Sequence, residues 1–239
     1  MKTLLMAAVL FGAAPQAKPV RVVPIGDSIT QGRKGAGENK MTFSWRYPLW
    51  KSLVDAGASF DLVGSLKVGF EGDADWADYK GKPFDRDHEG HWGWKTSDIR
   101  AKLPEWLAGY TPDVALVLLG SNDPGAKMTP DDTKNEMGQI IELLRGKNAK
   151  VTVLLAAPFH EWKPFADVRL KYQELAKEKA TKESPVEFVD LSKGWVSDPK
   201  AAGTHTVDWV HPNPDGDAKL ASGWLEALKP HLKRLGALK

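Results

Sequence analysis

Apolar positions along this chain fall into two alternating patterns: short unbroken runs, and longer stretches with helical spacing. The runs occupy 21–25, 60–64, 113–119, 150–157 and 186–191. Each has strand length and is bounded by glycine, proline or polar residues. The run 113–119, Asp-Val-Ala-Leu-Val-Leu-Leu, is apolar on both faces, as a central parallel strand must be. Between the runs the period lengthens. Helices are predicted over 44–56, carrying Trp45, Leu49, Leu53 and Val54, and over 96–107, carrying Ile99, Leu103 and Leu107. Ser97 or Thr96 would cap the second of these, and Pro104 predicts a kink or an early stop. Thr129-Pro130-Asp131-Asp132 opens a third helix with a capping hydroxyl, a proline at the first position and acids in the first turn. Two more follow over 165–182 and from Pro214 onward, the last with Ala221, Trp224, Leu225, Leu228 and Leu232 on one face.

Strands alternating with helices predict a single α/β domain, a doubly wound, flavodoxin-like three-layer sandwich. Its sheet is five-stranded and parallel, with strand order 2-1-3-4-5. Ligands of such sheets bind at the carboxyl ends of the strands, where the order reverses. Here the reversal lies between the first and third strands, which lead to Ser28 and Asn122.

Composition narrows the class. A chain of 239 residues, 42% hydrophobic and 27% charged, has enough apolar material for one substantial core and is neither disordered nor membranous in character. A net charge of +2, with the charges interspersed, gives no reason to expect nucleic acid. Ten tryptophans against four tyrosines is unusual, and an indole face suits a sugar ring as well as a protein core. Without cysteine there is neither a disulfide framework nor a lipoprotein attachment point. Met1-Lys2-Thr3, an apolar stretch over 4–14 and small residues thereafter read as a secretory signal occupying 1–17. Too short for a stable membrane anchor, it predicts export to a bacterial periplasm or medium and a mature domain over 18–239.

The candidate chemistry sits in the turns. Val23-Pro24-Ile25-Gly26-Asp27-Ser28 delivers a serine from a strand into a tight turn at the head of a helix. A serine hydroxyl is a nucleophile only with a base, an orienting acid and oxyanion donors supplied from elsewhere. The alternative is that Asp27 or Ser28 merely caps the helix. Asp208 and His211 stand three residues apart, and in a helical or 3₁₀ turn they would share a face. Asp208 would then hold the imidazole Nδ1–H and leave Nε2 to take the Ser28 proton. Asn122 and Gly93, each in a turn after or before a regular element, are candidate oxyanion donors along with the Ser28 N–H. Residues 35–39 read as a flexible loop and 66–92 as a long irregular excursion on the substrate side. Within the excursion, Asp85, Asp87, His88, Glu89 and His91 are better read as solvated loop residues than as a metal site, because no second ligand group at recognisable spacing completes one.

Gly26-Asp27-Ser28, a glycine ahead of a helix, Gly120-Ser121-Asn122-Asp123 and Asp208-x-x-His211-Pro212-Asn213 occur in the order of the four sequence blocks of the GDSL/SGNH hydrolase superfamily. The chain resembles that superfamily over nearly its whole mature length. The resemblance implies Ser28 as nucleophile, His211 as general base, Asp208 as its orienting acid, and Gly93 and Asn122 as oxyanion donors. Ile29 stands where the family name has leucine, which leaves the polar atoms unchanged. Gly26-Asp27-Ser28-Ile29-Thr30-Gln31-Gly32, Phe60-Asp61-Leu62-Val63-Gly64-Ser65 and Asp87-His88-Glu89-Gly90-His91-Trp92-Gly93-Trp94 are most similar to carbohydrate acetylesterases, including acetylxylan esterases. This implies O-acetyl removal from a polysaccharide by a monomer without cofactor or metal. Trp92, Trp94 and Trp209 would wall the small acyl pocket while sugar stacks outside, and Trp94, Trp209 and Asp27 would contact substrate. Alternatives are the same machinery acting on longer acyl chains, and a non-catalytic carbohydrate-binding relative.

Overall fold

In the computed structural model, residues 18–33, 44–72 and 76–239 are described, so the expected signal segment 1–17 and the loop 35–39 lie outside the described residues. All five predicted strands form, as β1 (Val20–Gly26), β2 (Phe60–Leu62), β4 (Val114–Leu118), β5 (Thr152–Ala156) and β6 (Val186–Phe188). A sixth, β3 (Glu89–Gly90), comes from the irregular excursion. The main path runs β2-β1-β4-β5-β6, parallel throughout, which is the expected order once β3 is set aside. β2 pairs with the start of β1 and β3 with its end, Ile25 opposite Glu89 and Gly26 opposite Gly90. Two residues carry no readable period, which is why the alternation of apolar positions did not reveal β3.

Side chains of the central strands alternate between two cores, as the pleat requires. Val22, Leu116, Leu118, Leu154 and Ala156 face one helical layer, α2 (Arg46–Asp55) and α6 (Pro214–Arg234). Val23, Ile25, Ala115, Val117, Val153 and Leu155 face the other, α3 (Thr96–Trp106), α4 (Pro130–Lys147) and α5 (Lys163–Lys179). The short α1 (Ser28–Gln31) sits at the carboxyl end of β1. Thr129 caps α4 as predicted, its Oγ1 accepting the Asp132 N–H at 3.1 Å. α3 departs from expectation at both ends. Lys95 holds the cap position, its N–H donating to Asp98, and the helix runs past Pro104 to Trp106.

β3 lies so close to α1 that a Cβ on Gly90 would come within 2.4 Å of the Gln31 backbone nitrogen. Gly146, in α4, has nothing within 4 Å of the same position. Gly90→Ala should therefore cost about 1–3 kcal/mol through overpacking, lowering Tm by about 2–4 °C for each kcal/mol. Gly146→Ala should hold or raise Tm, because it removes a helix-interior glycine without a clash. Thermal melts of the two variants check both signs.

Candidate active site

The turn after β1 accepts only glycine at its corner. A Cβ on Gly26 would meet Thr30 Oγ1 at 2.2 Å and the Leu118 carbonyl oxygen at 2.4 Å. Asp27 follows as the N-cap of α1, its Oδ1 accepting the Ile29 N–H at 3.0 Å. Ser28 is the first residue of that helix, so its N–H has no intrahelical acceptor. Buried Arg46 secures the other end of α1, donating through Nε to the Thr30 carbonyl at 2.8 Å and through Nη2 to that of Gln31 at 3.0 Å. The nucleophile candidate thus stands on a short helix fixed at both ends.

His211 reaches Ser28 from 183 residues away, its Nε2 lying 3.0 Å from Oγ. Its Nδ1 lies 2.8 Å from Asp208 Oδ2, while Asp208 Oδ1 accepts the N–H of His211 at 2.7 Å and of Val210 at 3.1 Å. The Asp-x-x-His segment is not the helical or 3₁₀ turn expected. It is a tight bend, closed by the Val207 N–H donating to the His211 carbonyl at 2.9 Å and by left-handed backbone at Trp209, φ 73°. Partial burial raises the proton affinity of Asp208. The hydrogen bonds from the His211 side chain and backbone, its charge and the Val210 N–H outweigh that and bring the pKa down to about 2. An ionised Asp208 accepts the Nδ1–H hydrogen bond and fixes that tautomer, so the Nε2 lone pair faces the Ser28 hydroxyl.

The candidate donors lie in two neighbouring turns. The β1–β4 register places Gly26 opposite Leu118, so Ser28 and Asn122 lie just past adjacent strand ends. Asn122 Nδ2 donates one hydrogen to the Trp94 carbonyl at 2.9 Å, which orients the amide and leaves its second hydrogen available. Past β3, the His91 N–H donates to the Gly26 carbonyl at 3.0 Å and the chain turns at Gly93. Gly93 has φ 78°, is exposed, and has no atom within 4 Å of a would-be Cβ.

Residues 25–219 match the sequence profile of the GDSL-like lipase/acylhydrolase family. The chain belongs to that family. It is 25% identical to an arylesterase of Vibrio mimicus over 236 residues, 95% of this chain and 98% of the relative. It is also 26% identical to a multidomain esterase of Ruminococcus flavefaciens over 90% of this chain, which spans 29% of that protein's length. Its fold is similar to a carbohydrate esterase family 3 structure from Talaromyces cellulolyticus, with a TM-score of 0.74 and 27% identity over 90% of this chain and 99% of that one. A family 3 carbohydrate esterase of Clostridium thermocellum gives a TM-score of 0.73 and 26% identity over 91% and 99%. The domain is an esterase of the GDSL/SGNH type, and among the described residues no helix is long and apolar enough to cross a membrane.

The structure sorts the residues expected to contact substrate in this GDSL/SGNH domain. Trp209 is 44% exposed beside the triad. Trp92 stacks on the His211 ring at 4.7 Å and 12°, and on Phe70 at 4.5 Å. Trp94 is half-buried, stacked on His91 at 4.5 Å and packed against Trp106, and it serves the site through its carbonyl. The expectation for Asp27 needs correction. Its cap places it wholly inside, with no surface to offer a substrate. Among the described residues no group of side chains could hold a metal ion, and the acids of the excursion bind the chain to itself. Asp85 accepts the Leu62 N–H, Asp87 pairs with Lys67, and Glu89 accepts from Ser65 and Tyr110.

Sequence reading missed His160. Fully buried, it donates Nε2–H to the Val210 carbonyl at 2.8 Å and so braces the bend between Asp208 and His211. Burial pushes its pKa down to about 4, so it stays neutral. A lone histidine carries no spacing signal, though its place just past a central strand puts it on the reactive rim.

Burial pushes Asp27 up to about 6, against the pull of the Ile29 N–H, the nearby Ser121 hydroxyl and His211. Its Oδ2 has no formed hydrogen bond. A raised folded pKa means that ionised Asp27 costs stability, progressively from about pH 4 to 6 and fully above. Asp27→Asn keeps a capping oxygen and removes that charge. It should be more stable than the parent by on the order of 2–3 kcal/mol at pH 8 and equal to it at pH 4. Urea unfolding at the two pH values reads the difference.

Proposed function

We propose that this domain, as an exported monomer, removes O-acetyl groups from carbohydrate through an acetyl-enzyme on Ser28. The observation that carries the reading is the unbroken hydrogen-bond chain from Asp208 through His211 to Ser28 Oγ. His211 Nε2 takes the hydroxyl proton as Oγ attacks the acetyl carbonyl. Asp208 steadies the resulting imidazolium. The N–H groups of Ser28 and Gly93 and the Asn122 amide receive the oxyanion. Collapse of the tetrahedral intermediate expels the sugar oxygen, which takes the proton held on His211 Nε2. Water then enters, gives a proton to the same nitrogen as its oxygen attacks the acetyl carbonyl, and collapse releases acetate while His211 returns that proton to Ser28 Oγ.

The acetyl preference rests on space. The recess beside Ser28, walled by Ile29, Trp92 and His211, leaves a volume of about 10 Å³, room for about one water-sized group. That suits a small acyl group and not a long chain. The carbohydrate preference rests on the exposed indole of Trp209 beside the triad and on the likeness to family 3 carbohydrate esterase structures. The leader at 1–17 fits export.

Ser28→Ala should lower kcat/KM for p-nitrophenyl acetate by on the order of 10⁴-fold or more with little change in Tm. Asp208→Asn should lower kcat by about 10⁴-fold, since the imidazole loses its oriented tautomer. The parent enzyme should favour the acetyl over the octanoyl nitrophenyl ester and release acetate from acetylated xylan, pectin or chitin fragments. A preference for octanoyl would refute the acetyl assignment, and intact sugar affinity without any esterase activity would favour the non-catalytic relative.

A further inference from the structure

Among the described residues, two tryptophans stand exposed: Trp162, 42% exposed, and Trp209, 44% exposed. Buried His160 joins them. Its ring lies 5.7 Å from that of Trp162, at 27°, and its Nε2–H is donated to the carbonyl of Val210 at 2.8 Å. Trp209 immediately precedes Val210 and His211 immediately follows it. Trp162 occupies the N-cap of α5, beyond the end of β5, so His160 contacts both Trp162 and the bend that carries Trp209 and His211.

Folding accounts for neither residue. Trp209 has φ 73°, backbone that suits glycine or asparagine and strains a bulky residue, yet its ring is not buried in return. Trp162 supplies no side-chain hydrogen bond to the helix it caps, where serine, threonine or aspartate would. It leans on Phe165 at 5.4 Å and leaves much of its surface bare. The backbone beneath is fixed, because Arg169 Nη1 donates to the carbonyls of Pro158 at 2.7 Å and His160 at 2.8 Å. Two flat apolar faces thus project from an anchored rim, with the partly exposed carboxylates of Glu161 and Asp208 next to them.

We propose that Trp162 and Trp209 form a glycan subsite that takes the sugar ring adjoining the acetylated one. A pyranose offers an apolar C–H face for an indole and peripheral hydroxyls for nearby acceptors, which this pairing of surfaces matches. The inference rests on the carbohydrate reading above and extends it from a single sugar to an oligosaccharide.

The test uses the Ser28→Ala protein, titrated calorimetrically with partially acetylated xylotriose, chitotriose and galacturonan trimer. Adding Trp162→Ala should weaken binding of at least one trimer by about 3- to 10-fold. Adding Leu170→Ala, an exposed residue further along α5, should leave Kd unchanged. Equal Kd for Trp162→Ala with all three trimers, or no measurable binding of any trimer, overturns the subsite. In the active enzyme, Trp162→Ala should cost at least threefold more in kcat/KM on the trimer than on p-nitrophenyl acetate. Equal losses would mean that Trp162 only supports the triad bend through His160, and would also overturn it. If the parent cleaves p-nitrophenyl acetate but no acetylated sugar, the carbohydrate reading fails. Trimer turnover with unchanged Kd fails the subsite alone.

Discussion

The ladder between β1 and β4 sets where Ser28 and Asn122 stand. Its register, Gly26 opposite Leu118, brings the ends of two buried strands level, so the turns that follow face each other across the switch in strand order. The approach is as close as backbone permits, since any Cβ on Gly26 would overlap the Leu118 carbonyl oxygen. β3 then uses the length of β1 that β2 leaves unpaired and brings Gly93 to the same rim. Donor and nucleophile positions therefore follow from strand pairing. A core buried on both faces of the sheet holds that pairing.

The base is a different case, because no strand carries it. His211 sits on a bend that must hold one geometry without a sheet ladder. Three interactions hold it: Asp208 accepts two backbone N–H groups, Val207 donates across the bend, and His160 grips the Val210 carbonyl from below. Left-handed backbone at Trp209 is sustained by that over-determination. Trp92, stacked on the imidazole, closes the face of the ring. The imidazole is thus placed before any substrate arrives, the condition under which orientation contributes most to rate.

What could be read in advance tracks the range of each signal. Strand order, the Thr129 cap and the Ser28 turn were legible because each depends on a few adjacent residues with strong local preferences. Placing Asp208 near His211 was legible from spacing, but the form of the turn was not. Spacing of three fits a helical face and an aspartate-capped bend equally well, and one of the contacts that hold the bend comes from His160, fifty residues away. β3 was hidden because its pairing comes from the position of β2, and the acids around it looked solvated because their partners, Leu62, Ser65 and Tyr110, lie well removed along the chain. Asp27 was misplaced for a simpler reason. A residue next to a nucleophile shares its neighbourhood in sequence, while the turn sends the two side chains to opposite sides of the surface.

That divergence explains why this site has one working acid when two carboxylates lie near its histidine. Asp27 and Asp208 both feel His211, yet burial leaves one at about 6 while hydrogen bonds bring the other to about 2. Asp27 is enclosed with a single backbone N–H to its credit and an oxygen left without a partner. Asp208 is partly open to water and receives two N–H groups as well as the imidazole. Only Asp208 meets the imidazole, its Oδ2 lying 2.8 Å from Nδ1, and the same hydrogen bonds favour its ionised form. The division of labour comes from how many donors each turn supplies, and a cap at the head of a four-residue helix has too few to spare.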